Sequence, residues 1–395
     1  MKRTLCVGID ARFVRDAYPG VGRYVHGLVH GLAELDDVEL VLFHGAATGG
    51  RLRLDGLRGR AGLRWVELPG RPRSPWDGLR TPPRLRGYGL DVFHSPFPLG
   101  PTRCPCPRVV TLHDLIPLRF PDNIRAPWRR PLFRRALGRA LASARLVICP
   151  SEATRRDLDF YAPRLLGKGR ALPKTVVSHE AADPSFRAVD GAGIEAMRRR
   201  LGLDGPYVLW VGSWRRHKNV EALLEAWQRL GAERKDCRLV LVGPRSVGPR
   251  SVGPRSGKPQ SVGPRAVGPR EMEDESVLDL GPVDGADLPA LYSGAELFVL
   301  PSMAEGFGLP AIEAMACGTA VLCSDAGSLP EVVGDAARTF DPRSVDDLTT
   351  ALRELLADSG LRRGMAERSL EQAARFSWRR TASEHVAAYR QAVES

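Results

Sequence analysis

Two glutamates eight residues apart bracket a glycine-rich turn in the segment Pro301-Ser302-Met303-Ala304-Glu305-Gly306-Phe307-Gly308-Leu309-Pro310-Ala311-Ile312-Glu313-Ala314-Met315-Ala316. An apolar, strand-like run precedes it and a helical pattern follows, with Pro310 suited to the first helical turn. Gly306 and Gly308 carry no side chain, so backbone N–H groups there can approach a ligand. A helix N-terminus behind them offers unpaired donors and a partial positive charge, a combination that binds phosphate. A carboxylate only accepts hydrogen bonds, which suits it to sugar hydroxyls. Glu313 taken alone could equally complement the helix dipole, worth about 0.3–1 kcal/mol. Glu305, against Gly-Phe-Gly, is harder to explain structurally.

A second strand-to-helix turn, Val211-Gly212-Ser213-Trp214-Arg215-Arg216-His217-Lys218-Asn219, is strongly basic. Lys218 is one of only six lysines in the chain, against 52 arginines. A third, Gly20-Val21-Gly22-Arg23-Tyr24, sits between the first strand-like run and the first helical pattern. A Gly-x-Gly there is a weak pyrophosphate signal, because the third glycine of the dinucleotide fingerprint is displaced to Gly27.

The elements around these turns alternate between apolar runs and amphipathic helical patterns. Leu5–Asp10, Glu39–Phe43, Asp91–His94, Arg108–Leu112 and Arg145–Cys149 read as short strands, with a helix over Gly22–Leu35. A second series starts at Pro206, with strands over Tyr207–Gly212, Arg238–Gly243, Glu296–Leu300 and Thr319–Cys323 and a helix over Val220–Leu230. Strands separated by helices imply parallel α/β sheets. Two such units are expected, at 1–185 and 186–375, with a helix over 376–395 packing back toward the first. Glu180–Gly193, with Pro184 and several small residues, fits the linker. Ligands of open parallel sheets lie beyond the carboxyl ends of the strands, so the site is expected in a cleft between the units. From 244 to 270 the pentad Val-Gly-Pro-Arg-Ser recurs. A Gly-Pro every five residues excludes helix and central strand, and the stretch reads as a disordered or polyproline-like surface insertion.

Other signals carry less. Asp157-Leu158-Asp159 falls in a helical pattern capped by Ser151, where i and i+2 diverge by about 200° and cannot share a metal. Cys104-Pro105-Cys106 has no second thiol pair for zinc. His26 and His30 lie at i, i+4 but lack the glutamate of a metalloprotease helix.

The frame Glu-Gly-Phe-Gly-Leu-Pro-x-x-Glu-Ala resembles the signature of retaining nucleotide-sugar glycosyltransferases of family 4 (glycosyl transferases group 1), which have the GT-B fold: two Rossmann-like α/β domains facing a central cleft. The resemblance spans nearly the whole chain. Gly8-Ile9-Asp10-Ala11-Arg12 with Gly20-Val21-Gly22-Arg23-Tyr24 is similar to the opening of mannosyl- and rhamnosyl-transferase-like members. Thr111-Leu112-His113-Asp114-Leu115, Pro150-Ser151-Glu152 and Phe376-Ser377-Trp378 match further family landmarks. The resemblance implies that Glu305 holds hydroxyls of the donor sugar and Glu313 the ribose. The backbone of Gly306, Phe307, Gly308 and Leu309 would lie against the diphosphate and sugar, and the base near Val283. Lys218, beside Gly212, would neutralise the diphosphate and stabilise the leaving group. Many members carry an Arg directly after that glycine. Ser213 stands there in this chain, and Arg215 or Arg216 is the substitute. His113 would face the transferred sugar, and Gly20, Gly22 and Asp114 would line the cleft near the acceptor.

Composition bounds the remainder. The 395 residues carry a net charge of +12 and 43% hydrophobic residues, enough for a sizeable core. No run approaches the roughly 20 apolar residues of a spanning helix, and Asp10 interrupts what would be a signal peptide. Seven cysteines, an odd number, fit a reduced cytoplasmic protein. The arginines are spread along the chain, so a nucleic-acid face is not expected. Arg125–Arg139, with Trp128, Leu132, Phe133 and Leu137 between the cations, could lie peripherally on the anionic inner membrane face, or could be an ordinary surface helix. The expected enzyme moves a mannose-like hexosyl group from a nucleotide sugar to a glycan or lipid-linked acceptor, without metal or cofactor. The alternatives are a sugar-nucleotide epimerase or phosphorylase of the same fold, or a non-catalytic basic protein binding nucleic acid or membrane.

Overall fold

The computed structural model describes residues 3–14, 19–45, 54–70, 77–124, 126–167, 171–245, 270–271 and 274–395. Nearly all of the pentad repeat, and with it the expected insertion, lies outside the described residues. The chain forms two compact units: Met1–Asp183 with Glu305–Leu309 and Ala374–Ser395, and Pro184–Ala304 with Pro310–Ala373.

The first unit holds a seven-stranded sheet made of β1 (Leu5–Asp10), β2 (Val38–His44), β3 (Leu63–Glu67), β4 (Val92–Ser95), β5 (Arg108–Thr111), β6 (Leu146–Cys149) and β7 (Lys174–Val177), in the order β3-β2-β1-β4-β5-β6-β7. Every pairing is parallel. Strands β4, β5 and β6 are buried along their whole length, as their apolar runs require. The edge strands β3 and β7 are half exposed and carry Arg64, Glu67 and Lys174. They have no continuous apolar run, so sequence pattern alone misses them.

The first helix runs Pro19–Ala33, so Gly20 and Gly22 sit in its first turn and not in a loop ahead of it. It buries Tyr24, Val25, Leu28, Val29 and Leu32, a stripe at helical spacing. On the same helix Gly27 and Gly31 admit the C-terminal helix Trp378–Glu394. A Cβ at Gly27 would stand 2.0 Å from the Trp378 indole, and one at Gly31 would stand 2.3 Å from the Trp378 carbonyl oxygen.

The second unit holds β8 (Tyr207–Val211), β9 (Arg238–Val242), β10 (Arg270–Glu271), β11 (Val277–Gly281), β12 (Leu297–Leu300), β13 (Val321–Ser324) and β14 (Arg338–Phe340), in the order β10-β11-β9-β8-β12-β13-β14. All pairings are parallel except β10 with β11. The helix Val220–Leu230 buries Val220, Leu223, Ala226, Trp227 and Leu230, and the Trp227 indole N–H donates to Ser276 Oγ at 3.0 Å. In each sheet the strand order reverses once, between β1 and β4 and between β8 and β12. Crevices for ligands open beyond the carboxyl ends of strands at such reversals.

Candidate functional site

The turns singled out by sequence follow the strands at these reversals. In the second unit, the basic turn leaves β8 and the chain leading to Glu305 leaves β12, two neighbouring strands. A backbone bond joins the two turns: Met303 N–H donates to the His217 carbonyl at 2.7 Å. Arg216–Lys218 forms a single 3-10 turn, and Asn219 follows with a left-handed φ of 55° before the helix starts at Val220. The Asn219 side chain donates to the Pro342 carbonyl at 2.9 Å, which holds this strained residue in place. Lys218 is half-buried, whereas Arg215 and Arg216 are exposed. Gly212 packs under Gly243, where a Cβ would stand 1.8 Å from the Gly212 carbonyl oxygen. Val283 lies half-buried in the turn after β11.

Glu313 is buried in the helix Leu309–Ala316 and accepts from the Tyr292 hydroxyl at 3.2 Å. It lies past the first turn, where the dipole effect has largely fallen off, so helix-dipole complementarity does not explain a buried carboxylate.

Glu305–Leu309 belongs to the first unit. Glu305 is half-buried. The Gly306 carbonyl accepts from Ser151 Oγ at 2.6 Å and Thr154 Oγ1 at 3.2 Å, and Thr154 Oγ1 also reaches the His113 carbonyl at 3.1 Å. Ser151 is at the same time the cap of the helix Glu152–Leu166, accepting from the Thr154 N–H. A Cβ on Gly306 would lie 2.1 Å from the His113 carbonyl oxygen, so only glycine fits. Gly308 has a φ of 102°, which glycine alone adopts freely. The Phe307 ring is buried, with the His179 and Phe376 rings at 6.1 and 5.7 Å.

His113 stands just past the carboxyl end of β5. Its Nδ1 is 3.0 Å from Glu180 Oε1 and its Nε2 is 2.9 Å from the Pro96 carbonyl, in the turn after β4. Burial alone would lower its pKa. The hydrogen bond and charge of Glu180 outweigh that, with help from Pro96 and Asp114, and the net shift is upward. Asp114 accepts from the Ile116 N–H at 2.9 Å and so shapes the turn after His113. The Tyr24 ring meets the His113 ring edge-on, centroids 4.8 Å apart.

Behind His113 runs a buried chain of hydrogen bonds whose direction can be worked out. His385 Nδ1 faces the Thr381 carbonyl at 2.7 Å and must donate to it, leaving Nε2 to accept from the Tyr24 hydroxyl at 2.7 Å. Tyr24 then accepts from Thr111, Thr111 from His94 Nε2–H, and His94 Nδ1 from Tyr389, each within 2.8 Å. Both histidines are neutral, as burial demands; it drives His385 down to about 4 and His94 well below the ordinary value.

In the first unit Glu180, Ser151 and Thr154 bond to the candidate residues without belonging to the signature, and in the second unit Tyr292 does the same. The Ser151 cap was readable from sequence. The tie from Ser151 to Gly306 and the pairing of Glu180 with His113 are not, because their partners lie far apart along the chain. The minor signals take structural places. Asp159 pairs with Arg155 along a helix at 3.3 Å, and His26 Nδ1 sits 3.2 Å from Asp183. Burial pushes the Cys104 and Cys106 thiols up to about 11 and about 12. Among the described residues, no three His, Cys, Asp or Glu side chains gather as a metal site.

Comparison with known proteins fits this geometry. The family model for glycosyl transferases group 1 matches residues 194–372, and that for glycosyltransferase family 4 matches residues 18–163. The chain is 31% identical over 393 residues to O-antigen chain mannosyltransferase B of Escherichia coli, covering 94% of this chain and 97% of that one. Among solved structures it is similar to sucrose-phosphate synthase of Thermosynechococcus elongatus, with a TM-score of 0.72, 22% identity and coverage of 98% and 99%. It is also similar to Anabaena HepE in complex with UDP-glucose, with a TM-score of 0.67, 17% identity and coverage of 97% and 99%. Two mostly parallel sheets with matching strand reversals, signature turns at those reversals, the two family models and end-to-end likeness to an O-antigen mannosyltransferase lead to one conclusion: the chain belongs to the family 4 (group 1) glycosyltransferases and is a glycosyltransferase of the GT-B fold.

Proposed function

We propose that the enzyme transfers a mannosyl group from a nucleoside-diphosphate sugar to a glycan or lipid-linked acceptor, with retention of anomeric configuration. The observation that carries this reading is the pair of joined turns at the β8/β12 reversal, one bearing Lys218 and the other leading into Glu305 and the helix of Glu313. Lys218 offsets diphosphate charge as the leaving group departs, and the glycine-rich backbone offers N–H donors suited to an anion. Glu305 accepts from donor-sugar hydroxyls and Glu313 from the ribose. The name of the E. coli relative supports mannose, and the UDP-glucose complex of HepE supports a nucleotide-sugar donor.

The test is a panel of GDP-, UDP- and dTDP-sugars, read first by thermal shift and then by transfer to acceptor glycans. Glu305→Gln and Lys218→Met should each lose at least about 100-fold in kcat/KM while keeping the wild-type melting temperature. Wild-type turnover in Glu305→Gln would contradict the assignment. Epimerised sugar formed without acceptor would favour the epimerase instead.

A lipid-linked acceptor at an anionic membrane face is supported by exposed apolar side chains on the first unit. Trp128, Leu132 and Phe160 are 64%, 57% and 59% exposed, far more than large apolar residues need to be. Guanidinium groups lie over the rings, Arg129 at 4.9 Å from Trp128 and Arg164 at 4.7 Å from Phe160. Apolar side chains set among arginines suit the interface of an anionic bilayer. No helix among the described residues is long and apolar enough to cross a membrane.

A further inference from the structure

We infer that Glu180 is a positioning residue that fixes His113 as a doubly protonated ring, so that this histidine serves the transfer as a stationary positive charge and not as a proton acceptor.

The argument is one of hydrogen-bond inventory. The Pro96 carbonyl has no proton to give, so His113 Nε2, at 2.9 Å, must carry one. Nδ1 faces a carboxylate oxygen at 3.0 Å, and the proton between them belongs to whichever group holds it more tightly. The hydrogen bond and charge of Glu180 raise the affinity of the ring for that proton against the pull of burial, so the ring keeps it. With both nitrogens donating, no lone pair remains to act as a base.

The surroundings make Glu180 the counter-charge. From the first helix, Tyr24 faces the ring and stays neutral, because burial raises its hydroxyl pKa. From β4 and the C-terminal helix, His94 and His385 are neutral, so they neither share nor compete for the charge. Asp114, the next residue, contributes weakly from its own turn. Glu180 itself is buried, and a buried carboxylate needs a partner of opposite charge. Because the folded-state pKa of His113 is raised, its charge is complete below the ordinary imidazole value and is lost only as pH climbs through the raised one. A stationary cation past the end of β5, with the Gly306 backbone against the His113 carbonyl, suits an anionic leaving group, which is the chemistry of the proposed function on which this inference rests.

The experiment is nitrogen NMR of the full-length protein labelled in histidine, with His113→Asn identifying the His113 signals. In the wild type the His113 ring should lose its second proton only above the ordinary imidazole midpoint. In Glu180→Gln the midpoint should fall by about 1–3 pH units, and Glu180→Asp should restore part of it. In turnover, the alkaline limb of kcat should move down by the same amount in Glu180→Gln, with the donor KM little changed. A wild-type His113 that titrates at or below the ordinary imidazole value, or an unmoved midpoint in Glu180→Gln, overturns the inference. Should Glu180→Gln fail to fold, the wild-type spectrum decides alone. The NMR measurement needs no donor, so absence of transfer from every nucleotide sugar would sink the proposed function and leave this result standing.

Discussion

Replacing Gly306 by alanine tests the close approach that holds the glycine-rich turn in the first unit. The added Cβ would lie 2.1 Å from the His113 carbonyl oxygen and 3.0 Å from its carbon, both backbone atoms that cannot swing aside. Relief requires the two backbones to part by about 1 Å. That displacement stretches the bonds from Ser151 and Thr154 to the Gly306 carbonyl. Two hydrogen bonds at about 1 kcal/mol each, with about 1–3 kcal/mol of overpacking, put the destabilisation near 3–5 kcal/mol. The flanking residues, Glu305 and Phe307, move with the turn. A shift of that size at a positioning element costs on the order of 100-fold in rate. Chemical denaturation of Gly306→Ala should therefore show a lower midpoint, and kcat/KM should fall by about two orders of magnitude at temperatures where the variant is folded. Ser151→Ala, which keeps the glycine and removes one donor and the helix cap, should lose only about 1–2 kcal/mol. Turnover and stability of Gly306→Ala within twofold and 1 kcal/mol of wild type would refute the reasoning.

Two further outcomes are expected. Gly27→Ala drives a methyl into the Trp378 indole, 2.0 Å away, and should destabilise docking of the C-terminal helix by at least about 1–3 kcal/mol; a denaturation midpoint equal to wild type would count against that packing. In sedimentation with anionic vesicles, the protein should bind at low salt and release as salt rises, and Trp128→Ala with Leu132→Ala should reduce the bound fraction at least tenfold; equal binding to neutral vesicles would dismiss the membrane patch.

The candidate turns were legible where the pattern is local. Glu305, Gly306, Gly308 and Glu313 lie within nine residues of one another, and the strand before them and helix after them announce the turn. The basic turn that carries Lys218 was legible for the same reason, as were the central strands, whose burial on both faces demands unbroken apolar runs. The edge strands β3 and β7 were hidden, because a strand with one open side can carry Arg64, Glu67 and Lys174. The start of the first helix was misplaced by three residues, since the glycines in its first turn read as loop.

What tertiary structure alone decided is pairing at a distance. The sequence determined that the chain would build two parallel sheets and set a glycine-rich turn between paired carboxylates, because those properties are written in runs of a few residues. It could not say that Glu180, in what reads as a linker, would be buried against His113, 67 positions away along the chain. Nor could it say that Tyr24, His94 and Thr111 would join His385 and Tyr389 of the C-terminal helix in one directed hydrogen-bond chain. Such contacts exist only once separate elements have packed, and burial then sets the charge of each group by leaving it with or without a partner.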